Sequence, residues 1–128
     1  MRKILLCILT ILSVIGLIVF LCLSFTPLGS VYVYEYKVNK DNDKMTIYVF
    51  NSASMGYIRS VDDNKTEVGV HILTFYPSWG GMNSKIGAMN EFEIELNPND
   101  TEIQIYRGNG KYTTELIKDN ECGDWIWN

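Results

Sequence analysis

One histidine and three cysteines are all the imidazole and thiol groups that these 128 residues contain. A single imidazole, His71, excludes a multi-histidine metal site and leaves any serine or cysteine nucleophile with no other base nearby in kind. Cys7 and Cys22 fall inside an apolar run, so Cys122 stands alone downstream and no disulfide can form within that part. Charge is missing from position 4 to position 34. Basic residues are then in deficit: the part beyond holds nine of the eleven Lys and Arg against all fifteen Asp and Glu, a net charge of −6. Such a surface repels phosphate backbones and argues against a nucleic-acid partner. No nucleotide-binding motif or D-x-D-x-D-G calcium loop is present, and no cofactor is called for.

What fills the uncharged stretch is ILLCILTILSVIGLIVFLCLSF, Ile4 to Phe25, 22 residues without a break. About 20 apolar residues carry a helix across the hydrocarbon core of a bilayer, so this segment predicts a transmembrane helix. Pro27 and Gly29 supply the stop. Arg2 and Lys3 favour a cytoplasmic N-terminus, which places everything after the helix outside the cytoplasm. The competing reading is a cleaved signal peptide, but its apolar core runs to about 7 to 15 residues and ends at small residues, whereas no A-x-A occurs here. The organisation expected is therefore an anchor over 1–26, a linker over 27–30 and one extracytoplasmic domain over 31–128.

Beyond the linker the hydrophobic period is two, not 3.6. Val31 to Val38 puts Tyr32, Tyr34, Tyr36 and Val38 on one face, and Lys44 to Phe50 puts Met45, Ile47 and Val49 on one, with a turn-forming NKDND between them. Further strands are expected at Tyr57–Val61, within Thr66–Ser78 after a DDNK turn, and at Lys85–Leu96. In the last of these Ile86, Ala88, Phe92, Ile94 and Leu96 would face a core. Glu102–Arg107 and Tyr112–Lys118 flank Gly108, Asn109 and Gly110, a hairpin turn. About seven short strands without a helical pattern between them predict an antiparallel, immunoglobulin/fibronectin-III-like β-sandwich.

Two resemblances accompany this pattern. Leu96, Pro98, Thr101, Glu102, Ile103 and Ile105 are similar to the corner between the two sheets of fibronectin type III domains, with Ile103 where that family carries a tyrosine. The strings SMGYIR, LTFYPSWGGMNSKIGA, EFEIELNP and EIQIYRGNGKY resemble a family of small, single-pass membrane-anchored proteins of Gram-positive bacteria. The second resemblance implies location and a single exported domain, and it carries no activity.

Candidate sites follow from side-chain chemistry. Trp79, beside Gly80 and Gly81, with Tyr76 before it, forms a loop able to stack on a sugar or hold a partner, or else to fold back on the core; Tyr57 in a second loop can join it. Arg107, with Tyr106 and Tyr112 nearby, makes a polar and aromatic patch. Asp41, Asp43, Asp62, Asp63, Asn64, Asn99 and Asp100 are expected in solvated turns, and His71 as a partly buried structural residue. Glu91, Glu93 and Glu95 recur about 7 Å apart along one strand face, within the range of glycosidase carboxylate pairs, though their alternation with Phe92 and Ile94 reads first as a solvent face. The function expected is a membrane-tethered, non-enzymatic binding domain at the cell envelope, with wall glycan or another envelope protein as partner. A small glycan-directed surface enzyme and a passive assembly protein are the alternatives.

Overall fold

A computed structural model describes residues 1–53, 56–81 and 84–128. Ser54, Met55, Met82 and Asn83, parts of the loop strings singled out above, lie outside the described residues. Helix α1 runs over Arg2–Phe25 and is long and apolar enough to span a membrane. No residue from 1 to 22 is buried against the rest of the chain, so the apolar surface faces outward all round. Its few hydroxyls are satisfied within the helix: Thr10 and Ser13 donate to the carbonyls of Leu6 and Leu9, which removes their polarity from the surface. Thr26 leaves helical geometry for an extended one, as the residue before a proline must.

Among the described residues eight strands follow, in two facing sheets. The smaller sheet has the order β1 (Val31–Val38), β2 (Lys44–Asn51), β5 (Glu91–Glu95). The larger has β3 (Ile58–Lys65), β4 (Val70–Pro77), β6 (Glu102–Gly108), β7 (Lys111–Lys118) and β8 (Trp125–Trp127). Between them lies one core, in which Val31, Met45, Ile47, Val49 and Ile94 meet Leu73, Phe75, Ile103, Ile105 and Leu116. Phe75 and Phe92 touch edge to face across it at 5.7 Å. The sandwich architecture is thus present, but it is mixed. Strands β4 and β6 run parallel over Val70–Leu73 and Glu102–Ile105, against the antiparallel expectation. They splay beyond that point, and the linker fills the gap: Leu28 pairs with Phe75 of β4, while Gly29 lies so close to β6 that a Cβ would stand 2.7 Å from the Arg107 carbonyl.

Several boundaries differ from the sequence reading, each for a local reason. The face assigned to Tyr32, Tyr34, Tyr36 and Val38 is broken by a β-bulge between Val33 and Glu35. One extra residue inverts the alternation, so Val31 and Val33 point inward before the bulge, Tyr36 and Val38 pack on the core after it, and Tyr32 and Tyr34 remain outside. DDNK is not a turn but the second half of β3. It is the outer edge of the larger sheet, where exposed charge blocks pairing with another chain. Residues 85–90 are not strand: Lys85 to Ala88 form a turn around Gly87, and Ile86 and Ala88 are exposed. The C-terminal residues Trp125–Trp127 form β8, an eighth strand. The Tyr36 hydroxyl donates to the Trp125 carbonyl and its ring packs edge-on to Trp127 at 5.1 Å, tying the small sheet to the large one.

Candidate functional site

The strand directions sort the loops into two ends. The linker 26–30, the β2–β3 loop, the β4–β5 loop and the β6–β7 turn lie at the end where α1 joins. The β1–β2, β3–β4, β5–β6 and β7–β8 connections lie at the far end. All four helix-side loops, over 26–30, 52–57, 78–90 and 109–110, lack Asp and Glu, whereas the far-end connections hold Asp41, Asp43, Glu67, Asp100, Asp119, Glu121 and Asp124. Tyr57, Trp79 and Arg107 all fall at the helix side, with Tyr76 just inside it on β4.

Trp79 does fold back, but onto the helix. Its ring is nearly parallel to Phe20 at 6.3 Å and edge-on to Phe25 at 5.8 Å, while the Arg59 guanidinium lies over the Trp79 ring, 3.8 Å from its centroid. Arg59 donates through Nε to the Pro77 carbonyl and through Nη2 to the Ser24 carbonyl, and Gly80 N–H donates to Ser24 Oγ. The glycines serve close approach as well as turn geometry: a Cβ on Gly80 or Gly81 would press on Phe20 or Leu23. Nothing in the sequence alone pairs Arg59 or Ser24 with Trp79. The three meet because β3 begins and β4 ends beside the last turn of α1.

Tyr57 is separated from Trp79 and lines a groove of about 340 Å³ with Tyr34, Phe50, Asn51, Met89 and Asn90. An aromatic ladder on the outer face of β1 and β2 runs into it, with Tyr34 6.2 Å from Phe50 and 6.3 Å from Tyr48, and Tyr32 5.9 Å from Phe50. The bulge creates this ladder by holding Tyr32 and Tyr34 outward. Rings that stack and amides that both donate and accept are the chemistry of a sugar or peptide site.

The other two sequence candidates are occupied elsewhere. The Arg107 guanidinium clamps the sheets together: it donates to Thr113 Oγ1 at 2.8 Å, to Glu115 Oε1 at 2.5 Å and to the Val31 carbonyl, and covers Tyr32 at 4.2 Å. Tyr76 is half-buried beside Asp62. Burial, the Asp62 charge and their hydrogen bond together raise its phenol pKa, against the smaller opposing effect of Arg59. Glu91, Glu93 and Glu95 are exposed on β5, with Glu93 paired to Lys44 at 3.2 Å, so none is desolvated as a general acid must be.

His71 is more than a structural core residue, since it is 1% exposed and both ring nitrogens face carboxylates. Nδ1 lies 2.7 Å from Asp63 Oδ2, and Nε2 lies 2.6 Å from the buried Asp100, whose other oxygen pairs with Lys65 at 2.5 Å. Ionised carboxylates only accept, so both nitrogens are satisfied only in the imidazolium. Burial pulls the His71 pKa down, but the hydrogen bonds and charges of Asp63 and Asp100 outweigh it and leave the pKa raised. Burial pushes Asp100 up. Its bonds from His71, Lys65 and the Asn97 N–H prevail and hold it lowered. Asp63 and Asp100, expected in solvated turns, are thereby consumed in an ion network that pins β3, β4 and the β5–β6 corner together at the far end.

The chain matches no family model, no curated protein and no solved structure at a significant level, so its sites stand on their own geometry.

Proposed function

We propose that the protein is a single-pass envelope binding module, anchored by α1 with its sandwich outside the cytoplasm, whose helix-side groove takes a sugar-containing chain. The observation that carries this reading is the groove itself: exposed Tyr34, Phe50 and Tyr57 present rings, and exposed Asn90 an amide, in one concavity, whose wall Asn51 braces by bonding Ser30 and Gly56. Stacking on sugar faces with amides directed at hydroxyls suits that ligand class, and the tether confines its search to the membrane surface. Arg2 and Lys3 before α1 support the exported orientation. The resemblance to Gram-positive anchored proteins supports wall glycan as the source of the chain. The test is binding of isolated wall-glycan fragments to the full chain in nanodiscs. Tyr34→Ala and Tyr57→Ala are each expected to weaken binding at least tenfold, while Trp79→Ala, whose ring lies outside the groove, leaves it within about twofold. No binding by the unaltered protein refutes the glycan.

A second reading rests on β1, which pairs only with β2 among the described residues and offers an open edge beyond Val31, whose carbonyl Arg107 takes. An extended segment of another envelope protein would add there as a strand.

A further inference from the structure

Helical rise places Trp79 relative to a membrane. The apolar run Ile4–Phe25 covers roughly 33 Å at about 1.5 Å per residue, close to the roughly 30 Å of a hydrocarbon core, so a span centred on it puts Phe25 at the outer boundary. Phe20 then lies about 7.5 Å deeper. Trp79 touches both rings, and its own ring is therefore held at the depth between them, the level at which tryptophans concentrate in membrane proteins.

The surroundings of Trp79 fit that depth. Ile86 lies at the same end of the sandwich, is 66% exposed and is bonded to the backbone of Trp79. Trp79 N–H donates to the Ile86 carbonyl and Met89 N–H to the Ile58 carbonyl, so the loop carrying them is fixed to the strands beside the helix. Arg59 keeps its charge at the boundary with Nε and Nη2 both hydrogen-bonded, the arrangement in which a cation tolerates low polarity. Lys85, over the Tyr57 ring at 5.8 Å, adds a second cation. The loops at the helix end carry no acidic residue in a domain whose net charge is −6, the nearest carboxylate being Glu91 at the start of β5.

We infer that the helix-side end of the sandwich is a second membrane contact: Trp79 and Ile86 sit in the outer interface of an anionic bilayer, with Arg59 and Lys85 at headgroup level. This inference rests on α1 spanning the membrane. The domain then lies against the surface with its acidic end directed away.

The test uses the full chain in phosphatidylglycerol/phosphatidylethanolamine vesicles containing brominated phospholipid, which quenches buried indoles on contact. A quenched fluorescence component is expected in the unaltered protein and absent from Trp79→Phe. Ile86→Asp, a change at an exposed position that leaves the core intact, is expected to reduce that quenching at least twofold. The cysteines report on the anchor separately, because Cys7 and Cys22 lie in α1 and Cys122 in an exposed turn. If a soluble maleimide labels Cys122 but spares the other two while Trp79 is not quenched, the seated end is overturned and the anchor stands. Labelling of all three overturns the anchor, and the inference with it.

Discussion

Asp100→Ala removes the centre of the far-end network, and its cost can be worked from the contacts. His71 Nε2 and the Asn97 N–H lose their acceptor, and Lys65 Nζ loses its ion pair. Breaking a buried ion pair from one side costs about 3–5 kcal/mol because the remaining charge is left without a partner. Lys65 is partly exposed and turns to water, so the residual penalty sits on His71. The imidazole can shed its proton, which leaves one buried nitrogen unpaired at about 1–3 kcal/mol, and the Asn97 N–H adds to it. The expected loss is therefore at the lower end of the range, about 3 kcal/mol. For a domain of this size each kcal/mol moves Tm by about 4–8 °C, so Asp100→Ala lowers it by roughly 12–24 °C. Asp100→Asn keeps an acceptor and offers a donor to neutral His71, and loses about 1–2 kcal/mol.

The same network gives stability a pH dependence of fixed sign. A raised His71 pKa contributes stability that is complete below about pH 6.5 and is lost as pH rises through the folded value. The lowered Asp100 pKa contributes stability present above about pH 4 and lost as pH falls through its folded value. Urea unfolding of the full chain in detergent, followed from pH 4 to 8.5, is expected to show a decline above pH 6.5 that Asp100→Asn flattens. Stability that is level or rising from pH 6.5 to 8.5 refutes the imidazolium assignment. Equal effects of Ala and Asn at position 100 refute the arithmetic.

Two further perturbations probe the joints of the sandwich. Tyr36→Phe deletes the hydroxyl that reaches the Trp125 carbonyl and is expected to cost about 1 kcal/mol, with faster amide exchange confined to β8 and its partner Lys118. Gly69→Ala forces a side chain onto a residue at φ +83° and into the Asn99 carbonyl; a loss of at least about 2 kcal/mol, with an unchanged denaturant slope, is the expected urea result.

The parts of this fold that follow one rule over many residues were readable in the sequence. Ile4–Phe25 has one environment throughout, and β2 and β5 alternate without interruption, so helix and strands emerge from periodicity. A single inserted residue was not readable. VYVYEYKV alternates aromatic and aliphatic residues that suit either face, and only pairing with β2 shows that the bulge after Val33 sends Tyr32 and Tyr34 out and Tyr36 in. Composition misled at DDNK because turns and exposed edge strands favour the same polar residues. At the candidate site the residue types were visible but not their neighbours. Tyr57 and Trp79 both come to the helix side, yet one lines a groove and the other packs on Phe20, a division set by strand direction and by the helix end.

The short linker gives these placements their consequence. Only residues 26–30 separate α1 from β1, and Leu28 and Gly29 are built into the gap between β4 and β6, so the connection is not a free tether. Arg59, Ser24 and Gly80 fix the helix end a second time, from the opposite side of that gap. Two attachments remove the swivel that one would allow. The groove of Tyr34, Phe50 and Tyr57 is therefore held at one distance and one orientation relative to the helix end. In the proposed role, with α1 across a bilayer, a chain lying along the bilayer surface is the ligand that this fixed groove would meet directly. Lengthening the linker while breaking the Arg59 contacts would free the domain to turn, and binding to a surface-lying chain should then fall although every groove residue is intact.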